Sequence, residues 1–330
     1  MKVAVVILNW NGRKLLEQFL PSVVSYSKEA TLYVADNNSS DDSVLFLKQN
    51  YPSVNIIQNT ANGGYAKGYN DALAKLSEDI IVLLNSDIEV THNWLSPLLS
   101  EFEKDSQLVA AQPKILDFKN KEYFEYAGAA GGFLDALGYP FCRGRIFTTL
   151  EKDEGQYDDI KTIFWATGAC LFVRNDAFKT VEGFDEDFFA HQEEIDLCWR
   201  LQASGGVIKY VGTSKVYHVG GATLTSANPR KTFYNFRNTL LLIVKNVQGI
   251  QAWYKILIRM ILDGVAFFQF LLEGKPNHAW AIFRAHLSFY RLLPSFLRKR
   301  KKEATQLKYS EINSIIWAYF IQKKKKYHQL

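Results

Sequence analysis

"IIVLLNSD", residues 80–87, is an unbroken apolar run that ends in Asn85, Ser86 and Asp87. A strand with no polar alternation is buried on both faces, as happens in sheets covered by helices on both sides. The acid at its end needs a partner, either the N-terminus of a following helix or a ligand. Working outward, "VAVVILNW" (3–10), "TLYVADN" (31–37) and "VNIIQN" (54–59) also read as strands. Between them, "GRKLLEQFLPSVVSYS" and "GYNDALAKLS" place apolar residues at helical spacing. This alternation predicts an α/β fold, a mostly parallel, Rossmann-like sheet with helices on both faces. Ligands in such sheets bind beyond the carboxyl ends of the strands, where Asn9, Asp36 and Asp87 all fall.

The chain has 330 residues, 48% of them hydrophobic, which suffices for one large domain and an appendage. Cys142, Cys170 and Cys198 lie far apart with no CxxC spacing, against a disulfide framework or structural zinc site and for a reducing compartment. The opening "MKVAVVILNWNG" turns polar too soon for a signal peptide and reads as a first strand. The net charge of +5 is unevenly spread: from Gln251 onward there are 15 Lys and Arg against 4 Asp and Glu. A mildly acidic body with a basic tail points to an anionic partner for the tail.

Residues 115–160, rich in Gly and aromatics ("YAGAAGGFLDALGYPFCRGR"), read as a loop or lid rather than a packed sheet. Regular pattern returns in "FWATGACLFVRNDAF" (164–178), in a helix within 185–206 that stops at Gly205–Gly206, and in two short strands within 207–221. In the tail, "WYKILIRMILDGVAFFQFLLEG" (253–274) is long and apolar but contains Arg259 and Asp263. Each charge costs about 2.5–3.5 kcal/mol at a bilayer centre, which disfavours a spanning helix. Residues 284–302 and 312–326 mix aromatic and aliphatic residues with basic clusters, as in helices lying in a membrane interface. The competing reading is a helical cap packed on the body.

Three polar constellations carry chemical possibilities. Asp36, in "VADNNSSDDS", is placed to accept a hydrogen bond from a base imide or a ribose hydroxyl, or to close an Asx turn. The loop "NTANGGYAKGYNDAL" (59–73), with Asn62, Lys67 and Asn70, opens into a helix and lets amides approach a phosphate. It is not a P-loop, because Tyr69 and Asn70 stand where Lys and Ser/Thr would. No GxGxxG follows the first strand. "HQEEIDLCWRL" (191–201) puts Glu193, Glu194 and Asp196 within one helical turn, flanked by apolar residues. Either these acids face a cavity, or they form a solvated first turn with Asp196 paired to Arg200.

In this order, "VVILNWNGRKLL", "VADNNSSDDS", "NGGYAKGYN", "LLNSD", "TGACLFVRNDAF" and "GFDEDFFAHQEEIDLCWR" resemble the family 2 glycosyltransferases. The likeness is to the rhamnosyltransferase-like branch that builds bacterial surface polysaccharides. The resemblance implies a GT-A catalytic domain over 1–245. Its nucleotide-binding half spans about 1–112 and its acceptor-binding half about 113–245, with 246–330 a basic amphipathic helical tail. It implies that Asp36, with Asn9 beside it, reads the base of a nucleotide-diphosphate sugar, dTDP-rhamnose or a UDP-sugar. "NSD" at 85–87 stands where the family carries D-x-D, so Asp87 is the expected ligand of Mg²⁺ or Mn²⁺ and Asn85 a neutral substitute. His218 resembles a late histidine that approaches the metal; its plainer reading is a core or turn histidine. "EEID" stands where the family reads "EDxD", making Glu194 the implied general base, with Glu193 and Asp196 as rivals. The implied reaction is a single, inverting displacement onto a hydroxyl of a glycan or lipid-linked oligosaccharide at the inner face of the cytoplasmic membrane. The implied location is cytoplasmic and peripheral to that membrane, with no nucleic-acid partner. The alternatives are a sugar-nucleotide nucleotidyltransferase, poorly matched by "NWNGRKLLEQF", and an inactive nucleotide-sugar-binding membrane protein.

Overall fold

The computed structural model describes residues 1–126, 128–220, 227–300 and 307–330. Strands β1 (Val3–Asn9), β2 (Thr31–Asp36), β3 (Asn55–Gln58) and β4 (Ile80–Asn85) pair in parallel in the order β3-β2-β1-β4. Helices α1 (Arg13–Tyr26), α2 (Ser43–Asn50) and α3 (Gly64–Leu73) connect them. The unbroken apolar run of β4 is explained by its two faces. Ile80, Val82 and Leu84 join one core with Leu16, Leu20 and Val23 of α1, while Ile81 and Leu83 join the other with Ala66, Tyr69 and Ala72 of α3.

Beyond β4 the sheet departs from the parallel expectation. The chain runs through β5 (Ile88–Val90), α4 (Ser96–Lys104) and β6 (Leu108–Asp117). Next come β7 (Gly132–Asp135), β8 (Pro140–Cys142), β9 (Arg145–Ile146), β10 (Thr149–Leu150) and β11 (Ile160–Thr162). β12 (Cys170–Arg174) then inserts antiparallel between β4 and β6. After α5 (Asn175–Thr180) and α6 (Glu193–Ala203), β13 (Val207–His218) completes a nine-stranded mixed sheet. Residues 207–218 form one long strand rather than two, with a register break between Val211 and Lys215. That irregularity, near Gly212, is what resembled a strand boundary.

Residues 115–160 are also corrected. β7 to β10 build a second, five-stranded sheet with β14 (Ser310–Ile312), and Phe133, Leu134, Phe141 and Ile146 are buried in it. Strands this short cannot display alternation, and Gly131, Gly138 and Gly144 turn the chain at positive φ between them. The C-terminal region is helical over α7 (Pro229–Asn246), α8 (Gly249–Leu272) and α9 (Pro276–Arg298). Residues 312–326 form β14's end and a single π turn at Trp317–Ile321, not an extended helix. Lys301 and Lys302 of the basic cluster, and Gly221, lie outside the described residues.

α8 is inverted relative to an ordinary surface helix. Arg259 and Asp263 are buried against the body, the former over the Tyr139 ring and the latter 2.9 Å from His286 Nε2. Ile250, Tyr254, Leu257, Ile261, Val265, Phe268 and Leu272 form an exposed stripe at helical spacing. Among the described residues, no helix is long and apolar enough to cross a membrane.

Candidate active site

The strand ends build the first wall. β1 and β2 finish in register, pairing Asn9 with Asp36. Asp36 Oδ1 accepts from Asn9 Nδ2 (3.0 Å) and Ser39 Oγ (2.6 Å), and its Oδ2 from the Ser39 amide (3.0 Å). The Asx turn is formed, and it does not exhaust a carboxylate with about four acceptor sites. Asn9 Oδ1 is buried with no hydrogen-bond partner, and a Cβ on Gly12 would lie 2.4 Å from it. Glycine at 12 thus keeps open the space this unpaired acceptor faces.

The glycine-rich loop is braced from within. Asn62 Oδ1 accepts from the Gly64 amide (3.0 Å) and from Asn37 Nδ2 (3.2 Å), and Asn59 Nδ2 reaches Asn37 Oδ1 (2.9 Å). Gly64, at φ +79°, packs so closely on Phe189 that a Cβ would sit 2.9 Å from its ring. Lys67 is exposed and pairs with Asp71 at 2.9 Å. Asn70 is a clamp: its Nδ2 donates to the Phe184 carbonyl (2.9 Å) and its Oδ1 accepts from the Phe184 amide (2.9 Å). Both ends of that amide are occupied, so it is not free to hold a nucleotide.

β5 pairs with β13 in the register Ile88↔His218, which brings Asp87 against the imidazole. Asp87 Oδ1 is 3.1 Å from His218 Nε2, Asn85 Nδ2 is 3.4 Å from the same nitrogen, and Glu125 Oε1 is 3.5 Å from Nδ1. Burial alone would lower the His218 pKa, but hydrogen bonds and charge from Asp87 and Glu125 raise it to about 10. A ring between two carboxylates holds a proton where a cation would otherwise balance them. Oxygen and imidazole donors suit a hard divalent ion. Among the described residues, no three acidic, His or Cys side chains could hold such an ion by themselves. Asp87 and His218 could supply two donors to such an ion, and its other positions would have to come from a ligand or water.

The opposite wall is the start of α6. Phe189, His191 and Gln192 all have positive φ (+63°, +66°, +74°), costly for residues with a side chain, on the order of 1–3 kcal/mol each. α7 pins this segment: Asn238 Nδ2 reaches the carbonyls of Phe188 (3.0 Å), Ala190 (2.9 Å) and His191 (2.7 Å). Arg237 donates to the carbonyls of Asp187 and Phe188, each at 3.0 Å. The strained turn aims Glu193 and Glu194 inward, and each has a buried carboxylate oxygen, Oε2, without a partner among the described residues. Burial raises both, the charge of Glu194 raises Glu193 further, and Glu194 is pushed up to about 7.

Asp196, one of the three candidate bases, is instead structural. Its Oδ2 accepts from Arg200 (2.8 Å) and Lys245 (2.8 Å) and its Oδ1 from Asn246 (3.0 Å). Burial pushes its pKa up, but the charges of Arg200 and Lys245 outweigh that and hold it well below the carboxylate range. Both of its oxygens are taken up by partners on α6 and α7.

The two walls meet across residues 166–169. The Ala169 carbonyl accepts from the Asn85 amide (2.9 Å), and the Gly168 carbonyl accepts from Tyr65 Oη (2.7 Å). Tyr65 lies within the fields of Glu193 and Glu194. The Cys142 thiol feels both Glu125 and Glu194. Lys231, on α7's first turn, interacts with Glu125 and lowers His191. Sequence reasoning missed Glu125 and Lys231, which lie in segments with no motif, and passed over Tyr65 within the glycine-rich loop. It also missed α7, where "RN" at 237–238 recurs as "KN" at 245–246, two helical turns on.

A family model described as glycosyl transferase family 2 matches residues 4–181, more than half the chain. The chain belongs to that family and is a glycosyltransferase of the GT-A fold. Rhamnosyltransferases are among its curated relatives. The N-acetylglucosaminyl-diphospho-decaprenol L-rhamnosyltransferase of Mycobacterium tuberculosis is 27% identical over 276 residues, spanning 79% of this chain and 89% of its own. Rhamnosyltransferase WbbL of Escherichia coli K12 is 25% identical over 228 residues, spanning 66% and 83%. Staphylococcus aureus TarS 1–349, solved with UDP-GlcNAc, shares the fold at a TM-score of 0.57 and 15% identity, covering 91% of this chain and 84% of its own. A Pyrobaculum calidifontis mannosyltransferase, solved with GDP-Man and Mn²⁺, does so at 0.52 and 13%, covering 90% and 83%.

Proposed function

We propose that this chain is an inverting, divalent-metal-dependent transferase that moves a rhamnosyl or other hexosyl group from a nucleoside-diphosphate donor to a hydroxyl of a lipid-linked glycan. One observation carries the reading: Glu194 and Glu125, the second of which contacts His218 of the Asp87–His218 pair, both act on the Cys142 thiol. Asn9 and Asp36 would receive the base and ribose, and Gly12 leaves room for them. Asp87 and His218, with Asn85 beside them, would hold Mg²⁺ or Mn²⁺ on the diphosphate. A bound ion there offsets charge that grows on the leaving group. Glu194 Oε2 takes the proton of the acceptor hydroxyl as that oxygen attacks the anomeric carbon. The C1–oxygen bond to the diphosphate breaks with inversion. Glu193, kept protonated by burial and its neighbour's charge, does not compete for that proton.

The relatives' names support a rhamnosyl donor and a diphospholipid-borne acceptor. We place the protein on the inner face of the cytoplasmic membrane through the outward stripe of α8, with basic residues of the tail at the headgroups. Incubation with a panel of dTDP-, UDP- and GDP-sugars, metal and a lipid-linked acceptor tests the reading. Diphosphate release with an inverted product is expected; a retained configuration, or no release with any donor, would sink it. For the membrane placement, Leu257→Glu with Ile261→Glu should release the protein from anionic vesicles while donor binding persists. Unchanged co-sedimentation removes α8 from that role.

A further inference from the structure

A cleft of about 210 Å³ lies away from the strand ends, between the first turns of α7 and the start of α9. Pro229, Arg230, Phe233 and Tyr234 line one side, and Trp280 and Arg284 the other. Two features separate it from an ordinary surface groove. Arg230 and Arg284 both enter it, and among the described residues neither is paired with a carboxylate. Two guanidinium groups facing one space repel each other unless an anion joins them, and their planar forks suit phosphate oxygens.

The second feature is what the cleft connects. Outward, Trp280 begins an exposed row on α9 that continues through Phe283, Leu287 and Tyr290. Inward, Tyr234 stacks on Phe189 at 5.5 Å between ring centroids, and Phe189 packs against Gly64 of the donor loop. Glu193 and Glu194 follow Phe189 across the strained turn, and Arg237 of α7 holds the same segment. An occupant of the cleft would thus have an apolar surface on one side and the base-bearing turn on the other.

We propose that this cleft grips the diphosphate of an isoprenoid-diphosphate-linked acceptor, Arg230 and Arg284 holding its phosphates and the α9 row its hydrocarbon chain. This rests on the transferase reading above, since a glycan carried on such a diphosphate would extend towards Glu194. A lipid diphosphate is favoured over a soluble anion because the aromatic wall runs on into exposed apolar surface. It is favoured over a general membrane headgroup because the cleft is concave and carries two guanidinium groups that, among the described residues, pair with no carboxylate.

The test is binding of farnesyl diphosphate to the full chain, followed by Trp280 fluorescence and calorimetry, with inorganic diphosphate and farnesol as comparison ligands. Farnesyl diphosphate should bind at least about ten-fold more tightly than either comparison ligand. Arg230→Ala with Arg284→Ala should lose that preference, and Arg230→Lys with Arg284→Lys should keep part of it. In turnover, the double alanine variant should raise the KM for the lipid-linked acceptor about ten-fold or more and leave donor affinity unchanged. Equal binding of inorganic diphosphate or of farnesol overturns the proposal, as does wild-type acceptor KM in the double alanine variant. If no donor binds the wild-type chain while farnesyl diphosphate does, the transferase reading fails and the cleft assignment stands.

Discussion

The two walls of the active site treat their carboxylates in opposite ways. On the strand-end wall, acids are committed: Asp36 is held by Asn9 and Ser39, and Asp87 by His218. On the α6 wall, Glu193 and Glu194 each keep a buried oxygen with no partner, at the cost of a turn with three residues at positive φ. A committed carboxylate keeps its charge and position, which suits holding a cation or a base. An uncommitted one in a dry setting takes up protons more readily, which suits proton transfer. The difference predicts which substitutions stop chemistry and which only loosen the frame.

The largest effect should come from Glu194→Gln, which keeps shape and removes the base. Turnover should fall by about 10²–10⁴-fold with donor affinity unchanged, read by single-turnover transfer and calorimetry. Because the group is pushed up to about 7 and acts ionised, wild-type kcat should rise with pH through that region and level off above it. Glu193→Gln copies the protonated state its burial already imposes, so turnover should change less than about ten-fold. If Glu193→Gln is the damaging one, the two residues exchange roles and the comparison breaks at that point.

Asp87→Asn should be next, costing on the order of 10²–10³-fold in metal-supported transfer, the several kcal/mol an ion contributes to charge stabilisation. The lost activity should be partly restored by raising the metal concentration if the defect is in holding the ion. Full activity at low metal would remove Asp87 from the site. Asp196→Asn belongs to the frame instead. It leaves Arg200 without its acid and Lys245 with Asp185 alone, and breaking such a buried pair costs about 3–5 kcal/mol. The sign of its pH dependence is fixed. A carboxylate lowered in the folded state adds stability above its unfolded pKa, and that stability is lost as pH falls. The variant should therefore show a shallower loss of denaturation midpoint below about pH 4 than the wild type.

The uneven legibility of the molecule has physical causes. β1 to β4 were readable because strands buried on both faces must be continuously apolar, and their polar ends then stand out. Asn9, Asp36 and Asp87 were visible for that reason. The trio at 193–196 was visible as a group, but its division was not. Asp196 is set apart by Lys245 and Asn246, about fifty residues away, and no local pattern reports a salt bridge of that span. Glu125 was hidden because β6 is followed by irregular chain in which an acid looks like any surface acid. β7 to β10 went unread because strands of two to four residues carry no period. α8 was misleading in the opposite sense: its charges, read as a cost against spanning a membrane, turn inward, and its apolar residues are the exposed ones.

The smallest effect tests the hinge between the walls. Tyr65 sits beside Glu193 and Glu194 and ties to the Gly168 carbonyl, next to the residue whose carbonyl holds the Asn85 amide. Gly168 has no room for a side chain there, since a Cβ would fall 2.5 Å from Tyr65 Oη. Tyr65→Phe keeps the ring, which packs edge-on against Tyr69 and Phe184, and removes only the hydroxyl. The cost should be that of one hydrogen bond, about 0.5–1.5 kcal/mol, or roughly a two- to twelve-fold loss in kcat/KM. Loss in kcat alone, with the acid limb of the pH profile displaced, would mean that Tyr65 positions the Glu194 wall. Loss in donor KM alone would mean that it serves the strand-end wall. A stability change with neither would reduce it to packing, and the walls would then be held in register by Asn70 and the Asn85–Ala169 bond.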